Sequence, residues 1–198
     1  MDIKKYDSLA RFSSYWYQIN EIVSFNPGSI LEVGVGTGFT SNYLKNLGYE
    51  VTTLDKDSER KPNIIGDVKS TSLPNDQFEM SCAFEVLEHM SYESALEALK
   101  ELRRVSSHHV VISLPIASKY IKLDISFPRI KKLWTLKYQV RAPLYHGHVW
   151  ELGQQGYDVK KFKDDLESLG YKIVYSYRIF ANPRHYMLVL STWKSYNN

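Results

Sequence analysis

The stretch that most constrains this chain is Ile30-Leu31-Glu32-Val33, an apolar run that feeds directly into Gly34-Val35-Gly36-Thr37-Gly38 and then into FTSNYLKNLG, which closes at Gly48. Glycines let the backbone turn sharply and approach a ligand closely, and the helix that follows offers its free N–H groups to whatever sits over the turn. The pattern predicts strand, glycine turn, helix. Further strands are predicted at Tyr49–Leu54, Asn63–Ile65, Phe78–Phe84 and Val110–Leu114. Strands that are apolar on both faces and alternate with helices belong to a parallel sheet covered on both sides. Near the end, the helix VKKFKDDLESLG leads into YKIVYSYRI and YMLVLSTW, joined through Asn182-Pro183 with no room for a crossover helix, so these two runs are antiparallel neighbours. The predicted class is α/β: a doubly wound, mostly parallel seven-stranded sheet with an antiparallel last strand.

Two helices frame this core. Residues 6–24 read as an N-terminal helix stopped by Asn26-Pro27-Gly28, and Ser91 caps a helix whose Ala95, Leu99, Leu102 and Val105 recur at helical spacing. A chain of 198 residues is long enough for one cored domain and short for two, so residues 1–198 are read as a single unit. Apolar residues at 43% and charged residues at 24% exclude a disordered or fibrous chain. No run approaches the roughly 20 apolar residues of a membrane span, and the first residues lack a signal-peptide pattern, so a cytoplasmic location is expected. The single cysteine, Cys82, excludes an intrachain disulfide and a cysteine-built metal site, and reads as a small buried hydrophobe.

In doubly wound sheets ligands sit beyond the carboxyl ends of the strands, and four acids fall at four such ends: Glu32, Asp55, Asp67 and Glu85. Asp55 lies 17 residues past Gly38, near the spacing at which a carboxylate accepts two ribose hydroxyls in nucleotide folds. The dinucleotide pattern would need glycine at position 39, where the chain has Phe39, and no Gly-Lys-Ser/Thr follows for a phosphate loop. Each acid alone could solvate a loop or cap a helix. Together they suit a ligand with ribose and positive charge and repel a pyrophosphate.

The sequence resembles the class I S-adenosylmethionine-dependent methyltransferases, within them the small-molecule type. The resemblance is carried by Ile30 to Gly38, by Thr53-Leu54-Asp55-Lys56-Asp57, by Gly66-Asp67-Val68, and above all by Leu73-Pro74 through Phe78-Glu79 to Phe84-Glu85-Val86-Leu87-Glu88-His89. It extends over about residues 28–115 and 158–193, the latter through Leu166 to Val174. It implies a Rossmann-like methyltransferase fold and S-adenosylmethionine as cofactor. Glu32 and the backbone of Gly34, Gly36 and Gly38 would hold the methionine end, Asp55 the ribose, Asp67 and Val68 the adenine, and Phe84 and Glu85 the far side near the amino group. Lys56 departs from the hydrophobic residues often found there and would have to lay its aliphatic stem on the adenine.

Methyl transfer from a sulfonium is an in-line displacement on an activated carbon, so the protein mainly aligns and excludes water, and a base helps only where the acceptor loses a proton. His89 and His148 are the candidate catalytic residues. His89 follows the fourth strand, where the resemblance carries a histidine across different chemistries, which fits positioning as well as base catalysis. His148 resembles a histidine found before the penultimate helix in related methyltransferases. His146-Gly147-His148 could also be an isolated metal tract, but with no cysteine and no evident third ligand no metal site is assigned. Tyr15, Trp16 and Tyr17 read as core aromatics, with a lid over the sulfonium as the alternative.

The charge is uneven. Residues 116–145 hold seven cations (Lys119, Lys122, Arg129, Lys131, Lys132, Lys137, Arg141) against Asp124, a local balance of +6, while the rest of the chain carries −3. With Phe127, Ile130, Leu133, Trp134, Leu136 and Tyr138 interleaved, the insertion at 116–150 reads as a lid over the acceptor, suited to an anionic substrate, an acidic partner or a peripheral membrane contact; the alternative is a solvated helix. No nucleic-acid module is recognisable, and none is expected as a partner. The expected function is methyl transfer from S-adenosylmethionine to O, N or C of a small molecule. A non-catalytic cofactor-binding or docking module on the same fold is the alternative. A nicotinamide oxidoreductase is disfavoured by Phe39 and the acidic strand ends.

Overall fold

The computed structural model describes residues 8–127, 130–136 and 144–192. Helix α1 (Leu9–Phe25) opens on Ser8, whose side chain accepts from the Arg11 N–H, and ends at Asn26 in the left-handed conformation. The predicted start at residues 6 and 7 lies outside the described residues. Strand β1 (Ser29–Val33) then enters the glycine turn, and α2 (Phe39–Asn46) leaves it with Gly38 at its N-cap. β2 (Glu50–Asp55), β3 (Ile64–Ile65) and β4 (Phe78–Phe84) follow, with short 3-10 turns at Ser58–Arg60 and Leu87–His89. Helix α3 (Tyr92–Val105) leads into β5 (Ser106–Pro115). Beyond β5 come β6 (Ile121–Phe127), β7 (Ile130–Leu136), α4 (Val159–Ser168), β8 (Lys172–Arg178) and β9 (His185–Ser191).

The main sheet has seven strands in the order β3-β2-β1-β4-β5-β9-β8. β1 pairs in parallel with β2 on one side and β4 on the other, and β5 continues in parallel from β4. β9 is antiparallel to both β5 and β8. The sequence expectation of a mostly parallel sheet with an antiparallel strand near its end is met. Chain order reverses between β1 and β4, and at such a switch the connections diverge and leave a crevice beyond the strand ends.

Side chains alternate across the sheet and feed two cores. Ile30, Met80, Cys82, Val111 and Val189 pack with Ile22 of α1 and Leu44 of α2. Leu31, Val33, Val110 and Leu188 pack with Leu99 of α3 and Phe162 and Leu166 of α4. The four residues predicted at helical spacing, Ala95, Leu99, Leu102 and Val105, are all buried, and Ser91 accepts from the Ser94 N–H as the cap. Cys82 is fully buried, and burial pushes its thiol well above the ordinary range, in keeping with a structural role.

Helix α1 is tied by hydrogen bonds to β8 and to the link between β8 and β9. Glu21 accepts from the Tyr175 and Tyr177 hydroxyls, each at 2.5 Å, and Asn182 Nδ2 donates to Ser14 Oγ at 2.9 Å.

The insertion is built of strands, which excludes the solvated-helix alternative. β6 and β7 form a separate two-stranded antiparallel sheet, in register from Ile121↔Leu136 to Phe127↔Ile130, and not a solvated helix. Its first strand, IKLDISF, alternates apolar and polar residues with period two, a strand pattern that the +6 balance of the surrounding segment obscures. Arg129, Lys137, Tyr138 and Arg141 of the basic segment lie outside the described residues.

Candidate functional site

The cleft lies at the switch between β1 and β4, where Glu32, the glycine turn, Phe84 and Glu85 converge with residues of α1 and with His185. Its floor depends on two glycines for different reasons. Gly34 has φ +80°, and a Cβ there would stand 2.3 Å from Val86 Cγ2, so this glycine lets the turn pack against the segment after β4. Gly36 has φ +56° and open space where a Cβ would point, so no side chain stands between its N–H and a ligand. Gly38 serves as the N-cap of α2 and donates its N–H to the Val35 carbonyl at 2.8 Å.

Glu32 is only 4% exposed, and its Oε2 has no hydrogen-bond partner. Burial raises its carboxyl to about 7. A buried carboxylate oxygen without a donor costs about 1–3 kcal/mol, and an ammonium or hydroxyl of a ligand would relieve it. Glu85 accepts from Ser113 Oγ at 2.8 Å, and burial raises it to about 7. His185 Nε2 lies 3.4 Å from Glu85 Oε2, and burial lowers this imidazole to about 3, so it is neutral at physiological pH.

Asp55 closes the turn from the side: its Oδ2 accepts from the Val35 N–H at 2.9 Å and its Oδ1 from the Asp57 N–H at 3.0 Å. Each oxygen keeps a second lone pair for a hydroxyl. Arg60 reaches over the turn to donate to the Gly36 carbonyl at 3.1 Å, a contact the sequence did not suggest.

Of the predicted cofactor residues, the cleft brings together Glu32, Gly34, Gly36, Phe84 and Glu85. Gly38 and Asp55 support the turn from behind and beside. Lys56, Asp67 and Val68 do not line the cleft. Lys56 is exposed, Asp67 accepts from the Lys69 N–H and pairs with its ammonium at 3.5 Å, and Val68 is buried in the core.

The lining also includes residues that the sequence did not point to, among them Arg11, Ser14, Gln18, Thr40 and His185. The last was recoverable in principle, because a strand antiparallel to β5 must present its first residue where the parallel strands present their last, and Pro115 does pair with His185. The aromatic run of α1 divides. Tyr15 lines the cleft and stacks on Phe39 at 4.7 Å between ring centroids, Trp16 is 58% exposed, and Tyr17 packs on the core.

His89 and His148 lie beside the cleft, not in its lining, with ring centroids 5.0 Å apart. His89 Nδ1 is 3.0 Å from the Gly147 carbonyl, and His148 Nδ1 is 2.7 Å from Glu151 Oε1. The Val149 N–H donates to the Glu88 carbonyl at 2.8 Å, which fastens the HGHVW loop to the turn after β4. Glu88 is completely buried there, and burial, followed by the charge of Glu85, raises its carboxyl well above the ordinary range.

Comparison with known proteins bears on the fold. The family model described as "Methyltransferase domain" matches residues 31–114, from β1 through β5. No curated protein matches the chain. Among solved structures, a SAM-dependent methyltransferase from Aquifex aeolicus is similar with a TM-score of 0.64 at 16% identity, covering 96% of each chain. An S-adenosylmethionine-dependent methyltransferase from Clostridium acetobutylicum gives a TM-score of 0.62 at 10% identity, covering 96% of this chain and 94% of that one. The 1,6-didemethyltoxoflavin-N1-methyltransferase of Burkholderia thailandensis, with 1,6-didemethyltoxoflavin and S-adenosylhomocysteine bound, gives 0.60 at 14%, covering 96% and 80%. At such identities the likeness establishes the shared fold. Residues 31–114 thus match a methyltransferase domain, and they lie inside a seven-stranded sheet whose fold is shared with S-adenosylmethionine-dependent methyltransferases.

Proposed function

We propose that the chain transfers a methyl group from S-adenosylmethionine to a small-molecule acceptor by in-line displacement. The observation that carries this reading is Glu32, whose buried Oε2 lacks a donor at the edge of a glycine turn open at Gly36. When bound, the cofactor supplies a methyl on a positively charged sulfur, activated without help from the protein. Glu32 would accept from the amino group of its methionine end, and the backbone at Gly36 would lie along it. Asp55 would take the ribose hydroxyls through its remaining lone pairs. Tyr15 and Phe84 would enclose the sulfonium and exclude water, and an aromatic face is favourable to such a cation. Lys56, Asp67 and Val68 reach the adenine only if the β3 side of the cleft closes on the ligand.

Acceptor recognition is assigned to the β6–β7 hairpin and the HGHVW loop. Both follow β5 in the chain, and the hairpin lies in the basic segment, which favours an anionic acceptor. Ile121 and Leu123, half-exposed on β6, supply apolar contact at the same place. The test is calorimetry against S-adenosylmethionine, S-adenosylhomocysteine and NAD, followed by an acceptor screen weighted toward anionic molecules. Binding of the first two without NAD supports the reading, and binding of NAD alone overturns it.

A further inference from the structure

Beside the cofactor cleft, Glu88, His89 and His148 converge so that one oxygen and one nitrogen from each imidazole all lie within 4.8 Å of one another. The sequence offered no third ligand to accompany its histidines; the fold supplies one by bringing the HGHVW loop against the turn after β4.

The state of each group points the same way. Glu88 has a side-chain exposure of 0%, and neither of its carboxylate oxygens has a hydrogen-bond partner. A carboxylate taken out of water without donors is strongly disfavoured unless a cation meets it. Both imidazoles are engaged at Nδ1 by groups that can only accept, the Gly147 carbonyl for His89 and Glu151 Oε1 for His148. Each Nδ1 therefore carries the hydrogen, and each Nε2 is left with its lone pair. His89 Nε2 stands 4.0 Å from Glu88 Oε1, too far for a hydrogen bond and close to the span between two ligands of one ion. Glu151, 1% exposed, also accepts from the Tyr145 N–H at 3.0 Å, so it is itself held in place while it orients His148.

We infer that Glu88, His89 and His148 form a binding site for a divalent first-row cation, with Glu151 as the positioning residue of His148. Three protein ligands, two imidazoles and a carboxylate, leave coordination positions open, as in sites where a metal meets substrate. The opening is on the His89 side, where the side chain is 51% exposed against 13% for His148. An acceptor oxygen would take the open position, which would favour an acceptor that loses a proton from a hydroxyl; this last step rests on the function proposed above.

The full chain, stripped with a chelator, is titrated with Co2+ and followed by its visible d–d absorption, with Zn2+ as competitor. The expected result is one Co2+ per chain, displaced by Zn2+. His148→Ala and Glu88→Gln should each weaken binding by at least about tenfold, Glu151→Gln should weaken it by roughly 10–100-fold, and His146→Ala, outside the cluster, should bind as the native chain does. Circular dichroism reports folding, and if Glu88→Gln does not fold, His89→Ala on the exposed side takes its place. Native affinity in both His89→Ala and His148→Ala, or no cobalt bound by the native chain, overturns the site. Because this readout needs neither cofactor nor turnover, a failure to bind S-adenosylhomocysteine would count against the proposed function and leave the cation site standing.

Discussion

His185 Nε2 lies 3.4 Å from Glu85 Oε2, and the pair joins the start of β9 to the segment after β4 at the mouth of the cleft. Both side chains are largely buried, and Glu85 has Ser113 Oγ at 2.8 Å as its other partner. His185→Ala should leave that oxygen of Glu85 without a partner and cost about 1–3 kcal/mol of stability, read as a lower urea midpoint with an unchanged slope. An unchanged midpoint would show that solvent already serves Glu85.

Asp55→Ala removes the acceptor for the Val35 N–H and the groups assigned to the ribose. Affinity for S-adenosylhomocysteine should fall by about 100-fold or more, which is roughly 2.7 kcal/mol, while circular dichroism stays native. Undiminished affinity by calorimetry would mean that the cofactor lies elsewhere.

Gly34 and Gly36 should fail differently. Gly34→Ala sets a methyl against Val86 at φ +80° and should destabilise the fold by more than about 1 kcal/mol, seen as a lower Tm. Gly36→Ala meets nothing in the protein, so beyond a strain cost of about 1 kcal/mol its main effect should be weaker cofactor binding. Equal loss of binding at equal stability in both variants would contradict the assignment.

Glu101 sits between Arg104, at 2.7 Å, and Thr71, and the Arg104 hydrogen bonds hold its carboxyl down at about 2. A depressed carboxyl stabilises the fold above its ordinary value and loses that contribution as the pH falls from about 4.5 toward 2. With the pair partly exposed, about 1–2 kcal/mol is expected. Glu101→Gln should therefore narrow the difference in urea stability between pH 6 and pH 3; an identical difference would mean that the pair contributes nothing net.

The parallel half of the fold was legible because its signals are local. Strand, turn and helix followed one another around Gly34–Gly38, and Ala95, Leu99, Leu102 and Val105 marked a buried helix face by spacing alone. The cleft was legible where strand ends carried acids, as at Glu32 and Glu85. Asp67 accepts from the Lys69 N–H and pairs with its ammonium, so an acid after a strand can serve a neighbouring group as well as a ligand. Arg11 was not legible, since it reaches the cleft from an element far from it in sequence, and His185 was legible only through the antiparallel pairing that sets it opposite Pro115. Glu88 stands in the motif after the fourth strand, and nothing local distinguishes a buried, donorless carboxylate there from a solvated one. The β6–β7 hairpin was missed where net charge drew attention away from a period of two.

The tie of α1 to β8 and to the link between β8 and β9 bears on how the protein is made. Arg11, Ser14, Tyr15 and Gln18 of α1 line the cleft, yet Glu21 and Ser14 find their partners 154 to 168 residues later in Tyr175, Tyr177 and Asn182. On the ribosome the first helix emerges long before the strands that fix it. The glycine turn can form early, but its wall of α1 residues is not set until β8 and β9 have been translated. A nascent chain should thus acquire its affinity for cofactor only once β8 and β9 have emerged, in one step with the closing of its sheet.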